Sequence, residues 1–161
     1  MDPKNLKKQF WGPAFWTILH TFAECILTTT NSILSNDEAE GWIRILKNQQ
    51  HVMPCALCSK HYADWLKQHD FTSIRTLKNE ERANWIQTRL YELHQHVNTL
   101  NSTLNITREE LKYEYPRRRV DDEYALCCEM FKLALERHLL KPDDILRWKT
   151  AFLRLRALYG I

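Results

Sequence analysis

Residues 51 to 61 read HVMPCALCSKH: a C-x-x-C pair, Cys55 and Cys58, follows Pro54, with His51 before it and His61 after it. Two thiols at this spacing support few kinds of chemistry. Covalent haem attachment needs a histidine directly after the second cysteine, and Ser59 stands there, so that chemistry is excluded. Structural zinc needs about four nitrogen or sulfur ligands, usually as two close pairs. The chain has no second C-x-x-C, so His51 and His61 would have to complete such a site. A redox disulfide needs two thiols within bridging reach and one activated as thiolate, which the exposed N–H groups of a helix start favour. Two plain core thiols are the remaining reading. The spacing favours the redox pair and leaves zinc and core open.

Two other islands carry unusual residues. In WGPAFWTILHTFA, Trp16 and His20 are four apart and share one helix face. Two tryptophans so close usually mean core; the histidine on their stripe is the odd element. In LYELHQHVNTLN, His94, Val97, Asn98 and Asn101 recur at i, i+3, i+4 and i+7 on one face. A histidine and two amides on a buried stripe cost stability unless they meet polar partners. The stripe reads either as a solvated seam or as the wall of a site for a flat, heteroatom-rich ligand between helices.

The elements that position these islands are helical. The 161 residues suit one globular fold, with 44% hydrophobic and 27% charged residues, and only three glycines and five prolines to spend on turns. Helical periodicity predicts segments from Pro13 to about Leu34, from 37 to 50, from the cysteine pair to about His69, and from 80 to 100. Thr107 with Glu110 is a capping-box signature for a short fifth helix stopped near Pro116. Two more helices are expected over 121–140 and 143–159, parted by Pro142. No alternating strand pattern appears, so the fold class expected is all-α.

Composition also narrows the partners. A net charge of +3 is too weak to argue for nucleic acid, and Arg117-Arg118-Arg119 is followed almost at once by Asp121, Asp122 and Glu123, as in a solvated linker. No apolar run approaches a membrane span, and the N-terminus shows no secretory signal. Five cysteines cannot all pair within one chain, which speaks against a secreted disulfide scaffold and for an intracellular protein.

Taken together and in order, the islands resemble the Erv/ALR family of FAD-linked sulfhydryl oxidases, whose pattern is W-G-P-x-x-W-x-x-L-H, then P-C-x-x-C, then H-N-x-V-N. This chain reads Trp11-Gly12-Pro13, Trp16, Leu19-His20; Pro54-Cys55, Cys58; His94, Val97-Asn98. The resemblance covers roughly residues 10 to 115 and is closest to members from large DNA viruses. Gln95 departs from the family asparagine, and Thr99 and Leu100 stand where a basic residue is common, which puts the flavin-phosphate contacts of this helix in doubt.

The resemblance implies a four-helix bundle holding FAD, with a short fifth helix over residues 1–116, usually as a homodimer. Residues 117–161 are then an extra helical extension, packed on the core or at a dimer contact. It implies that Cys55 exchanges with a thiol-bearing substrate protein or thioredoxin-like partner. Cys58 then passes the electrons through FAD to oxygen, giving hydrogen peroxide. Trp11, Gly12, Pro13, Trp16, His20, Cys58, Tyr62, His94, Val97, Asn98 and Asn101 are the expected cofactor neighbours, with no metal ligand among them. Tyr113 or Tyr115 are candidates to cover the adenine end. Cys25 projects about 140° from His20 and cannot share its face. Cys127 and Cys128 are adjacent on one helix, where bridging geometry is poor. These three are expected to be structural or free, the alternative being a shuttle thiol. A viral member would work in host cytoplasm and virion, a cellular one in the mitochondrial intermembrane space. The competing class is a non-enzymatic all-α module binding zinc or thiols.

Overall fold

The computed structural model describes residues 6–27, 31–114 and 119–161. Tyr115, the Pro116 stop and Arg117-Arg118 of the basic linker lie outside the described residues. Among those described there are seven α-helices and no strand: α1 (Lys8–Glu24), α2 (Ser32–Gln49), α3 (Ala56–Gln68), α4 (Asn79–Leu100), α5 (Arg108–Glu114), α6 (Val120–Glu136) and α7 (Pro142–Tyr159). A 3₁₀ turn over Phe71–Arg75 links α3 to α4.

The helix ends show which local signals won. The Thr107–Glu110 box forms reciprocally: Thr107 N–H donates to Glu110 Oε2 at 2.7 Å and Glu110 N–H to Thr107 Oγ1 at 3.2 Å. The first helix is a correction. It begins at Lys8, not Pro13, so Pro13 lies inside it, and it ends at Glu24 with Cys25 as its cap. Residues Ser32 to Leu34, expected to finish that helix, belong with Ser35 and Asn36 to α2. Asn31 starts α2 by accepting the Leu34 N–H at 2.9 Å on its side chain, a stronger start signal than Asn36 or Asp37.

One face of α1 turns to α4, which runs antiparallel to it, with Gln87 Nε2 donating to Ala23 O at 3.1 Å. The opposite face, through Phe15 and Phe22, meets α6 and α7: Phe15 lies against Phe131 and Trp148, Phe22 against Phe152 and Tyr159. Helix α7 also runs antiparallel along α2. Trp148 Nε1 donates to Gln49 Oε1 at 2.8 Å, Arg154 pairs with Asp37 at 2.6 Å, and Trp42 Nε1 donates to the Tyr159 hydroxyl at 2.8 Å. Gly41 permits this approach, because a Cβ there would fall 2.7 Å from Leu155 Cδ2. The core is therefore continuous from α1 and α2 into α6 and α7, and includes Trp42, Phe131, Trp148 and Phe152 with almost no exposure. Each such side chain contributes about 1.5–3 kcal/mol on burial.

Beneath this packing lies one buried ion pair. Glu38 Oε2 meets Arg82 Nη1 at 3.0 Å, both residues only about 1% exposed. Glu38 Oε1 accepts from Leu27 N at 3.0 Å and from the Tyr159 hydroxyl at 2.9 Å, and Arg82 donates to the carbonyls of Ser35 and Leu77. Removing one partner leaves a buried charge uncompensated, at about 3–5 kcal/mol. Glu38→Ala is expected to lower stability by that amount, and Trp148→Ala by about 3–5 kcal/mol through the cavity it leaves. Urea unfolding followed by circular dichroism measures both. A second transition confined to α6 and α7 in the wild-type chain would contradict the single core.

Candidate functional site

Pro54 breaks the chain after α2, and Cys55 becomes the N-cap of α3 in extended conformation. Its Sγ accepts the Cys58 N–H at 3.1 Å, as an N-cap oxygen would. Cys55 and Cys58 are disulfide-bonded with a Cα separation of 5.2 Å, within the usual range for bridges. Both are half-buried against the core, with a path to solvent. Ser59 Oγ donates to Gln50 O at 2.6 Å and the Tyr62 hydroxyl to Leu46 O at 2.8 Å, fastening the start of α3 to the end of α2. Once the pair is reduced, the helix N–H groups favour thiolate at Cys55.

The α1 and α4 stripes meet. Trp16 stacks on His94 with ring centroids 4.1 Å apart and planes 4° apart, and on His20 at 5.6 Å. His20 Nε2 lies 3.2 Å from His94 Nδ1, so one ring donates and the other accepts, which requires at least one neutral ring. Burial, reinforced for His20 by the charge His94 would carry, pushes the His20 pKa down to about 3; burial pushes His94 down to about 4. Both rings are neutral at pH 7.

Along the same helix, Val97 packs half-buried on the core, and buried Asn98 donates from Nδ2 to Leu104 O at 3.4 Å. Asn101 caps α4 and accepts from Lys8 Nζ, tying the far end of α4 to the start of α1. Gln95 donates from Nε2 to Ile106 O at 2.7 Å, while its Oε1 is buried without a hydrogen-bond partner. That atom is an acceptor ready for a ligand donor.

Between α3 and α4 opens a groove of about 340 Å³ lined by His61, Asp64, Trp65, Gln68, His69, His96 and Leu100. Trp65 forms its aromatic floor, stacked on His69 at 4.0 Å, and His69 Nδ1 is held 2.8 Å from Trp65 O. The motif reading passed over Trp65, His69 and His96. The signal was present: His61, Trp65 and His69 recur every fourth residue, the first two on one face of α3 and the last as its C-cap.

Other expected neighbours lie apart from the stack. Trp11 is buried edge-on against Phe15, on the α1 face turned to α6 and α7, with its Nε1 donating to Leu6 O at 3.1 Å. Gly12 is half-exposed, Pro13 and Tyr113 are exposed, and a Cβ on Gly12 would meet only Lys8 Cγ at 3.8 Å. Tyr62 is buried with its hydroxyl committed to Leu46, and burial holds it protonated. Burial and Glu24 raise the Cys25 thiol; burial and the neighbouring Cys128 raise that of Cys127, so neither favours thiolate. Among the described residues no three His, Cys, Asp or Glu side chains gather as metal ligands, so His51 and His61 do not complete a zinc site with the cysteine pair. No described helix is long and apolar enough to cross a membrane. No family model, curated protein or solved structure shows significant similarity to this chain.

The histidine pair makes stability depend on pH. Both folded pKa values lie below the ordinary 6.5, so the unfolded chain binds protons first on acidification. The stabilisation is whole above pH 6.5 and declines from there towards about pH 3, below the folded values of both rings. Urea midpoints across that range are expected to fall less steeply in His94→Gln than in the wild-type chain. Parallel slopes would mean that the pair is not held neutral by the fold.

Proposed function

We propose that this chain is an FAD-linked sulfhydryl oxidase, as its resemblance to the Erv/ALR pattern implies. The observation that carries the reading is the Cys55–Cys58 disulfide at the N-cap of α3. That position suits exchange. A substrate thiolate attacks Cys55 Sγ, the Cys55–Cys58 bond breaks, and Cys58 leaves as thiolate. The substrate's second thiolate then attacks its own sulfur in the mixed disulfide and releases Cys55. The Cys58 N–H beside Cys55 Sγ favours that departure. In sum, two substrate thiols and one oxygen molecule become one disulfide and hydrogen peroxide.

The residues fit a flavin. Flat stacking surfaces are offered by Trp16 with His94 and by Trp65 with His69. His20 and His94 supply neutral donors and acceptors, and the buried Gln95 Oε1 supplies an acceptor. Trp16, His20, His94, Val97 and Asn98 would hold the ring system, with Cys58 as the thiolate nearest the electron acceptor. When bound, the flavin supplies the two-electron step from thiolate to oxygen that side chains alone cannot perform. Gly12, Pro13, Tyr62 and Asn101 have backbone-shaping or bracing roles in this reading, and Trp11 braces α1. A thioredoxin-like protein or another dithiol polypeptide is the proposed partner. A homodimer would use a face other than the one that α6 and α7 cover.

Oxygen uptake with dithiothreitol as reductant tests the reading. The wild-type chain is expected to consume oxygen and produce equimolar hydrogen peroxide. Cys55→Ser and Cys58→Ser are expected to fall to the rate without protein, and Cys25→Ser to keep most activity. Uptake that persists in Cys58→Ser would remove Cys58 from the electron path.

A further inference from the structure

Helix α7 is apolar on two opposite faces. Ile145, Trp148, Phe152 and Leu155 are buried on the face turned to the core. On the other face Leu146 is 64% exposed and Leu153 50% exposed, with Thr150 and Ala157 exposed beside them. At about 100° per residue these four side chains fall within an arc of about 60°. The stripe has one polar side-chain atom, and it is already satisfied: Thr150 Oγ1 donates to Leu146 O at 2.8 Å. The stripe can therefore lose its water without orphaning a hydrogen-bonding side chain.

Exposed leucines are ordinary on a protein surface. Here their order selects an occupant. The spacings along Leu146, Thr150, Leu153 and Ala157 are four, three and four, which read the same in both directions. A second α7 laid antiparallel on the first sets Leu146 against Ala157 and Thr150 against Leu153, a larger side chain against a smaller one at every level. A two-fold pairing also brings like charges together, so the margins matter. Each cation beside the stripe already has a partner in its own chain. Arg147 pairs with Asp144, Arg154 with Asp37 at 2.6 Å and Arg156 with Asp121 at 2.7 Å, while Lys149 lies 5.9 Å over the Phe131 ring. The three arginines thus offer an acidic partner no unpaired charge, and a second copy little repulsion.

We infer that the outer face of α7 is an interface for a second copy of this chain. The two α7 helices pack antiparallel about a two-fold axis that passes between the Thr150 and Leu153 levels. The seam is one helix wide and smaller than the roughly 800 Å² per partner of a standard interface, so the dimer is reversible and of micromolar affinity. The inference gives the proposed homodimer its face and uses neither the disulfide nor the flavin.

Sedimentation equilibrium of the full-length protein, over about a hundredfold range of concentration around the micromolar, tests it. The wild-type chain is expected to pass reversibly from monomer to dimer, with only monomer on a non-reducing denaturing gel. Leu146→Glu and Ala157→Lys are each expected to weaken the dimer about tenfold or more. Both sites are exposed, so the urea midpoint of each variant is expected to match that of the wild-type chain. Combined in one chain, the two substitutions are expected to restore association, because the antiparallel register sets each new carboxylate beside the partner's new ammonium group. Within one helix the two positions lie about 16 Å apart and cannot pair. A monomer at every concentration, a dimer that Leu146→Glu leaves intact, or a double variant no tighter than the single ones would overturn the inference. Sedimentation of a monomeric wild-type chain with phosphatidylserine vesicles would overturn it too, and assign the face to a lipid surface.

Discussion

A carboxylate taken almost wholly out of water must be bound on every side, and Glu38 is. Its oxygens collect Arg82 from α4, the Tyr159 hydroxyl from the end of α7 and the backbone N–H of Leu27 just past α1. Three segments distant in sequence thus converge on one side chain of α2. Loss of any one partner would expose the others to the desolvation cost that the group as a whole offsets. The register of α4 against α1 follows from that anchoring at one end and from Lys8 with Asn101 at the other. It is this register that brings His94 over Trp16.

The site lies where α1, α3 and α4 meet the same core that α6 and α7 complete from the opposite side. Burial governs its electrostatics. Desolvation holds His20 and His94 neutral, so the aromatic wall carries hydrogen-bonding atoms without charge. The cysteine pair is different, because it stays half-exposed and takes its activation from the helix start rather than from a neighbouring cation. The structure thus sets an uncharged, largely buried aromatic wall beside a half-exposed disulfide at a helix start.

Much of this was legible in the residues. The four-residue spacing of Trp16 and His20 foretold their shared face, and Thr107 with Glu110 foretold the cap of α5. The break between α1 and α2 was not legible, because Ile26, Leu27, Ile33 and Leu34 continue the apolar count across it while Asn31 alone marks the new start. The Glu38–Arg82 pair left no signal in sequence, since only the tertiary fold brings the two together. Trp11 was grouped with Trp16 by motif, although five residues turn it about 140° away, onto the face that Phe15 and Phe22 present to α6 and α7. The α3–α4 groove escaped because its histidines are spread over two helices and its tryptophan, Trp65, belongs to no motif.

The most direct test of the account is the visible absorbance spectrum of the purified full-length protein, recorded before and after denaturation. A flavin spectrum near one equivalent per chain, released into the supernatant as free FAD on unfolding, is the result expected from the stacked histidine wall. A colourless protein that takes up no FAD when supplied with it, although folded with the Cys55–Cys58 disulfide intact, would contradict it.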